Sequence, residues 1–205
     1  YVYAVSPTSL ARLKRMCRFM EEASLDWDIP SVKDNKARVA DSRVLIENRL
    51  ILESFQLEVD DGPDNDTQAV AEWLARNALP KNEENKFFVD KLSRDLVILP
   101  DQAFSYFVEH STSVEPHVSI DDETGVAREG GLFYTENLPP ESLLVAPLFC
   151  SDERHKAGNK PDEHMKAGEI FEKLKNGLND QLLQVGGDAT TGRGQVLLHF
   201  MEWDA

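Results

Sequence analysis

The sequence predicts a mixed fold of helices and strands, of the α/β or α+β class. Short runs with period-two apolar alternation are interspersed with stripes at helical spacing along the chain. The 205 residues are 41% hydrophobic and 8% aromatic, enough for a packed core and inconsistent with wholesale disorder. No apolar run approaches the ~18 residues that a bilayer span requires. The longest, Leu143 to Cys150, contains Pro147 and is strand-sized. At ~100–200 residues per domain, the length predicts one domain over 1–205, or one with a large insertion.

Tyr1 to Val5 alternates as a short strand. Ser6-Pro7 follows as an N-cap with proline at the first helical position, and Leu10, Leu13, Cys17 and Met20 form one apolar stripe. The stretch from Ser24 to Arg49 is polar, broken by Pro30, and reads mostly as loop. Leu50 to Val59 reads as one half-buried strand, with Phe55, Leu57 and Val59 alternating. A helix is expected over Thr67 to Ala78, carried by Ala69, Val70, Trp73 and Leu74 and stopped by Pro80. Leu96 to Leu99 is a strand, and Asp101 caps a helix whose apolar side is Phe104, Phe107 and Val108. Val114 to Asn137 has the pattern of a β-hairpin turning at Asp122-Glu123-Thr124-Gly125, with Gly130-Gly131 marking a bulge or a close backbone approach. Ser142 to Cys150 is expected as a strand beside the first one, and 151–163 as a mobile polar loop. Met165, Ile170, Phe171, Leu174 and Leu178 make a last helical stripe; strands over Leu182 to Val185 and Gln195 to Trp203 flank GGDATTGRG.

The formal net charge of −15 disfavours a free-standing nucleic-acid binder but leaves room for a local basic groove. One such footprint is Arg12, Lys14, Arg15 and Arg18, all on the first helix; a solvated helix face accounts for it equally well. Two cysteines, Cys17 and Cys150, form neither a disulfide framework nor a CxxC metal site and fit a reducing compartment. The opening residues lack the order of a signal peptide. A start at Tyr1, directly in a strand, predicts that a preceding portion completes the sheet.

The glycine-rich segment is the sharpest motif. Gly187-x-x-x-x-Gly192 invites comparison with a phosphate-binding P-loop, but Arg193 replaces the lysine, Gly194 replaces the Ser/Thr, and a strand pattern follows where a helix should start. A tight turn or a backbone-lined groove for a nucleic-acid strand remains, with Arg193 as the charge. The acidic run Glu58 to Asp66 fails calcium-loop spacing. His155 and His164 sit among acidic residues without fixed ligand spacing, and no serine or cysteine nucleophile set is legible.

LLQVGGDATTGRGQVLLHF resembles the glycine-rich loop of the RAMP superfamily of CRISPR systems, in the form found in the backbone subunit of type III-B (Cmr) effectors. VYAVSPTSLARLKR, VILPDQAFSYFVEHST and IDDETGVAREGGLFYTENLPPESLLVAPL agree with further segments of that family. The resemblance implies an α+β, ferredoxin-like (RRM-type) palm with insertions and a projecting hairpin over 114–137. It implies CRISPR guide RNA, target RNA, copies of the same chain and other RAMP subunits as partners, a cytoplasmic setting without membrane, and target cleavage that depends on a divalent metal such as Mg. Gly186, Gly187, Gly192, Arg193 and Gly194 would then lie on the guide backbone, with Arg12, Lys14, Arg15 and Arg18 as a second contact. The family's essential aspartate has no counterpart here and is expected outside this chain. Glu136, with Tyr134 beside it, is the candidate auxiliary catalytic group, weighed against a solvent-facing strand-end glutamate.

Overall fold

A computed structural model describes residues 1–19, 25–59, 64–154 and 164–201. The mixed class holds: among the described residues there are five helices, four of which pack on a six-stranded sheet, and two separate two-stranded ribbons. Strand β1 (Tyr3–Val5) leads into α1 (Pro7–Arg18), where the Ser6 hydroxyl accepts the Ser9 amide at 3.3 Å as the N-cap. Leu10, Leu13 and Cys17 of the expected stripe are buried; Met20 lies outside the described residues.

The stretch expected as loop contains β2 (Lys36–Val39), a strand in the middle of the sheet. Four residues with two cations carry no strand pattern in isolation. Their register explains the strand: Arg38 and Val39 pair antiparallel with β6 (Leu96–Ile98), and Lys36 and Ala37 pair parallel with β5 (Phe55–Val59). The single strand expected over Leu50 to Val59 is two strands, β4 (Arg49–Leu52) and β5, folded back at Glu53, whose φ of 53° makes the turn. β3 (Leu45–Ile46) completes the order β1-β6-β2-β5-β4-β3.

β6 organises the core because it is buried on both faces. Leu96 and Ile98 join Leu10, Leu13 and Cys17 of α1, with Val70, Trp73 and Leu74 of α2 (Asn65–Asn77) and Leu92 of α3 (Lys86–Arg94). Val97 and Leu99 face the other way, into Val39, Leu50, Leu57 and Val59, with Phe104 and Phe107 of α4 (Asp101–His110) packed on them. Asp64 caps α2 on the Thr67 amide (2.8 Å) and also accepts the buried Thr67 hydroxyl (2.7 Å). The same carboxylate lies 3.3 Å from Arg38, which ties α2 to β2. Asp101 does not cap its own helix. It accepts the Thr8 amide (3.1 Å) and hydroxyl (2.8 Å), closing the first turn of α1 instead.

The hairpin is β7 (Ser113–Ile120) against β8 (Ala127–Asn137), with the expected irregularity where Ser119 faces Gly131. A Cβ on Gly131 would stand 2.9 Å from the Arg128 carbonyl oxygen, so the bulge admits only glycine. Ser142 to Cys150 is not a strand: it has no regular structure, and Leu144 and Phe149 stand exposed. Nor does it flank β1, whose hydrogen-bonded neighbour is β6. An apolar alternating run becomes a strand only when it hydrogen-bonds an edge, and this run pairs with no strand even though β1 ends the sheet. The loop expected to be mobile falls mostly on 155–163, outside the described residues. α5 (Ala167–Leu178) ends one residue past Gly177, and β9 (Gln181–Gln184) pairs antiparallel with β10 (Gln195–Leu198), which is shorter than the strand expected to reach Trp203. No described helix is long and apolar enough to cross a membrane.

Candidate nucleic-acid interface

The register of the hairpin sorts its side chains onto two unlike faces. Glu115, His117, Phe133 and Thr135 share one face: His117 shares a 2.9 Å hydrogen bond with the Thr135 hydroxyl, and its ring stacks on Phe133 at 5.3 Å and 18°. The opposite face carries Val114, Val118, Ile120, Leu132, Tyr134 and Glu136. Its apolar members are all about half exposed or more, from 48% at Val118 to 64% at Tyr134. A two-stranded ribbon cannot bury both faces, so this one is left to solvent or to a partner. The turn is held by Asp121, which the Thr124 amide and hydroxyl, then the Glu123 amide, keep below the ordinary carboxylate range.

GGDATTGRG is the loop of the β9–β10 hairpin, with a 3₁₀ turn over Ala189–Thr191 at its tip. A strand, not a helix, follows it, which removes the P-loop comparison. The glycines are not equivalent. A Cβ on Gly194 would meet the Val185 carbonyl oxygen at 2.2 Å, so this position closes the loop. Gly186, Gly187 and Gly192 open onto empty space, and Gly186 and Gly192 take positive φ. The Gly192 and Arg193 amides are already engaged, on Ala189 (3.0 Å) and Asp188 (3.2 Å). The backbone at Gly192 and Arg193 is therefore committed to the loop itself, and the open side for an anion includes Gly186 and Gly187.

Arg193 does not stand free. Its guanidinium hydrogen-bonds Glu115 of β7, joining the glycine loop to the base of the hairpin. That bond holds the Glu115 carboxyl below its usual range and raises Arg193. Sequence reading missed Glu115, because nothing local marks it and its partner is 78 residues away.

Glu136 accepts the Thr112 hydroxyl at 2.5 Å and sits with Tyr134 on the exposed apolar face, opposite the face that carries Glu115. The expected guide-binding arginine and the expected auxiliary carboxylate thus lie on different sides of one ribbon. On α1, Arg12, Arg15 and Arg18 are exposed. Lys14 is structural: it donates to the Trp27 carbonyl (2.8 Å) and lies 5.3 Å from the Trp27 ring centroid. No bond among the described residues links this cluster to the hairpin or the glycine loop. The implied divalent metal does not fit the groups present: no three His, Cys, Asp or Glu side chains converge as a site among the described residues.

Comparisons with known proteins agree with this architecture. The chain is 27% identical over 202 residues to the CRISPR system Cmr endoribonuclease Cmr4 of Pyrococcus furiosus, covering 98% of this chain and 63% of that protein. It therefore spans less than two thirds of that relative. The crystal structure of oligomeric Cmr4 from Pyrococcus furiosus superposes with a TM-score of 0.63 at 23% identity, over 96% of this chain and 64% of that one. The type III-B Cmr-beta complex bound to cognate target RNA contains a chain that matches with a TM-score of 0.57 at 17% identity, over 97% of this chain and 60% of its own. At these identities the structures speak for the fold. The family profile of the RAMP superfamily matches residues 22–197, which takes in five of the six strands of the central sheet, the hairpin and the glycine loop, and the chain belongs to that superfamily.

Proposed function

We propose that this chain is backbone-subunit sequence of a type III-B CRISPR ribonucleoprotein, binding guide RNA and positioning target RNA for cleavage. The observation that carries the reading is the Arg193–Glu115 bond, which ties the glycine loop to one face of the hairpin. Guide RNA runs along Gly186, Gly187 and Arg193; target RNA lies toward Tyr134 and Glu136 on the ribbon's other face. The partners are guide RNA, target RNA, further copies of this chain and other RAMP subunits. A ferredoxin-like palm with insertions is part of the reading; it is supported by strands interleaved out of chain order and helices packed on the sheet. Cleavage by a divalent metal belongs to it through the endoribonuclease relative, and among the described residues the part played is to bind and orient RNA rather than to form a metal site.

A noncatalytic scaffold in the same assembly is the second reading, favoured by Glu136 being held by a threonine hydroxyl rather than set beside another carboxylate. Reconstitution with guide RNA tests the first. Co-purified RNA whose binding weakens on Arg193→Ala is expected, and an RNA-free particle under native conditions overturns it. Target cleavage that survives Glu136→Gln at the wild-type rate removes that group from the mechanism.

A further inference from the structure

A second polar cleft lies away from the hairpin, where the C-terminal end of α2 meets the turn between α5 and β9. It encloses about 220 Å³ and is lined by Arg76, Asn77, Lys81, Asn179, Asp180 and His199. Local folding brings these groups together. Asp180 adopts φ 57°, its amide donates to the Leu198 carbonyl at 2.7 Å, and Asn179 accepts the Phe200 amide at 2.8 Å. The turn is thereby locked to the end of β10, and His199 Nδ1 stands 2.6 Å from Asp180 Oδ1. A carboxylate only accepts, so the shared proton sits on Nδ1, and Nε2 is an acceptor unless the ring takes a second proton.

The balance of donors and acceptors decides what such a cleft takes. Asn77 Nδ2 donates to the Trp73 carbonyl (2.7 Å), and the single carboxylate is engaged by His199 and by Asn179 Nδ2 (3.3 Å), so the open donors of the lining are those of Arg76 and Lys81. Arg76 uses Nε on its own helix, at the Glu72 carbonyl, and one Nη on the exposed Asp26 at 3.5 Å, leaving the rest of its fork open. A cation in the last turn of α2 also suits the helix dipole, which accounts for Arg76 by itself. Lys81 lies beyond Pro80, outside the helix, and has no partner among the described residues; the dipole does not account for it. On a chain with net charge −15, two cations thus stand together over one cleft whose carboxylate is already engaged.

We infer that the cleft bounded by Arg76, Lys81 and the Asp180–His199 pair binds a phosphate group, carried either by an RNA backbone or by a free phosphate ester. At roughly 30 Å³ per water, the cleft has room for a phosphate and part of an attached sugar. The RNA source rests on the proposed function; the phosphate chemistry does not.

The test uses the intact chain and two probes, inorganic phosphate and a single-stranded oligouridylate, read through the His199 ring signals in a heteronuclear NMR titration. Saturable movement of those signals with phosphate is expected. It should weaken at least about fivefold in Lys81→Ala and recover in Lys81→Arg, a change a merely structural lysine would not produce. If oligouridylate displaces phosphate from the same signals, RNA is the source; if phosphate alone moves them, a free phosphate ester is. No saturable shift with either probe, or a Lys81→Ala chain indistinguishable from wild type, overturns the site. Arg193→Ala serves as the control for the proposed function, because loss of RNA binding at the glycine loop leaves the phosphate titration unchanged.

Discussion

Arg193 must leave Glu115, or share it, before it can hold a phosphate, and this makes the RNA affinity of the glycine loop adjustable from β7. Removing the guanidinium with Arg193→Ala deletes one phosphate contact. For single-stranded RNA, each contact contributes about −0.7 to the slope of log K against log salt, so raising salt from about 50 to about 200 mM should cost the variant roughly 2.6-fold less affinity than wild type. Glu115→Gln acts in the opposite direction. It keeps the side-chain shape, removes the competing carboxylate and frees the guanidinium, so RNA binding should tighten at low salt while the slope stays at least as steep. The assay is fluorescence anisotropy with a labelled guide-length RNA at four or more salt concentrations. An unchanged slope in Arg193→Ala, together with unchanged affinity in Glu115→Gln, would refute the contact and the competition at once.

Other outcomes follow from particular contacts. Gly194→Ala pushes a methyl into the Val185 carbonyl oxygen at a backbone with φ 69°, so amide exchange across β9–β10 should accelerate while α1 and β6 keep their protection. Asp64→Ala removes the α2 cap and leaves the buried Thr67 hydroxyl unpaired, for a loss of about 2–4 kcal/mol by urea denaturation; a change below about 0.5 kcal/mol would show the tie is idle. The Asp101 carboxyl is held below its usual range by the Ser6 hydroxyl and by the Thr8 hydroxyl and amide. Its stabilising effect is therefore complete above the ordinary aspartate value of about 3.9 and disappears as pH falls through the lowered native value, so the melting temperatures of wild type and Asp101→Asn should converge only in strong acid. Tyr134→Ala should leave the fold intact and, in an assembled complex, slow target cleavage more than it weakens guide binding, because this exposed ring lies on the face away from Arg193.

The elements legible in the sequence were those whose signals are local. Ser6-Pro7 with the stripe Leu10, Leu13 and Cys17 determines α1, and the alternation around a turn-forming Asp121 with Gly130-Gly131 determines the hairpin and its bulge. Backbone hydrogen bonds and side-chain spacing within a few residues suffice there. The glycine loop was legible for the same reason, since positive φ and a close approach to Val185 demand glycine wherever the loop is used. β2 was decided by tertiary structure, because four residues containing Lys36 and Arg38 become a central strand only when β5 and β6 supply hydrogen bonds on both sides. Ser142 to Cys150 is the reverse case: its pattern suits a strand, yet it pairs with none. Tertiary structure also decided where Asp101 acts, placing its carboxylate on a helix 93 residues away. Likewise it joined Arg193 to Glu115, and set Glu136 on the far side of the ribbon. Such pairings depend on the relative placement of distant segments, and for the central sheet the energy that selects them comes from burial of β6 between two apolar layers, which no local pattern encodes.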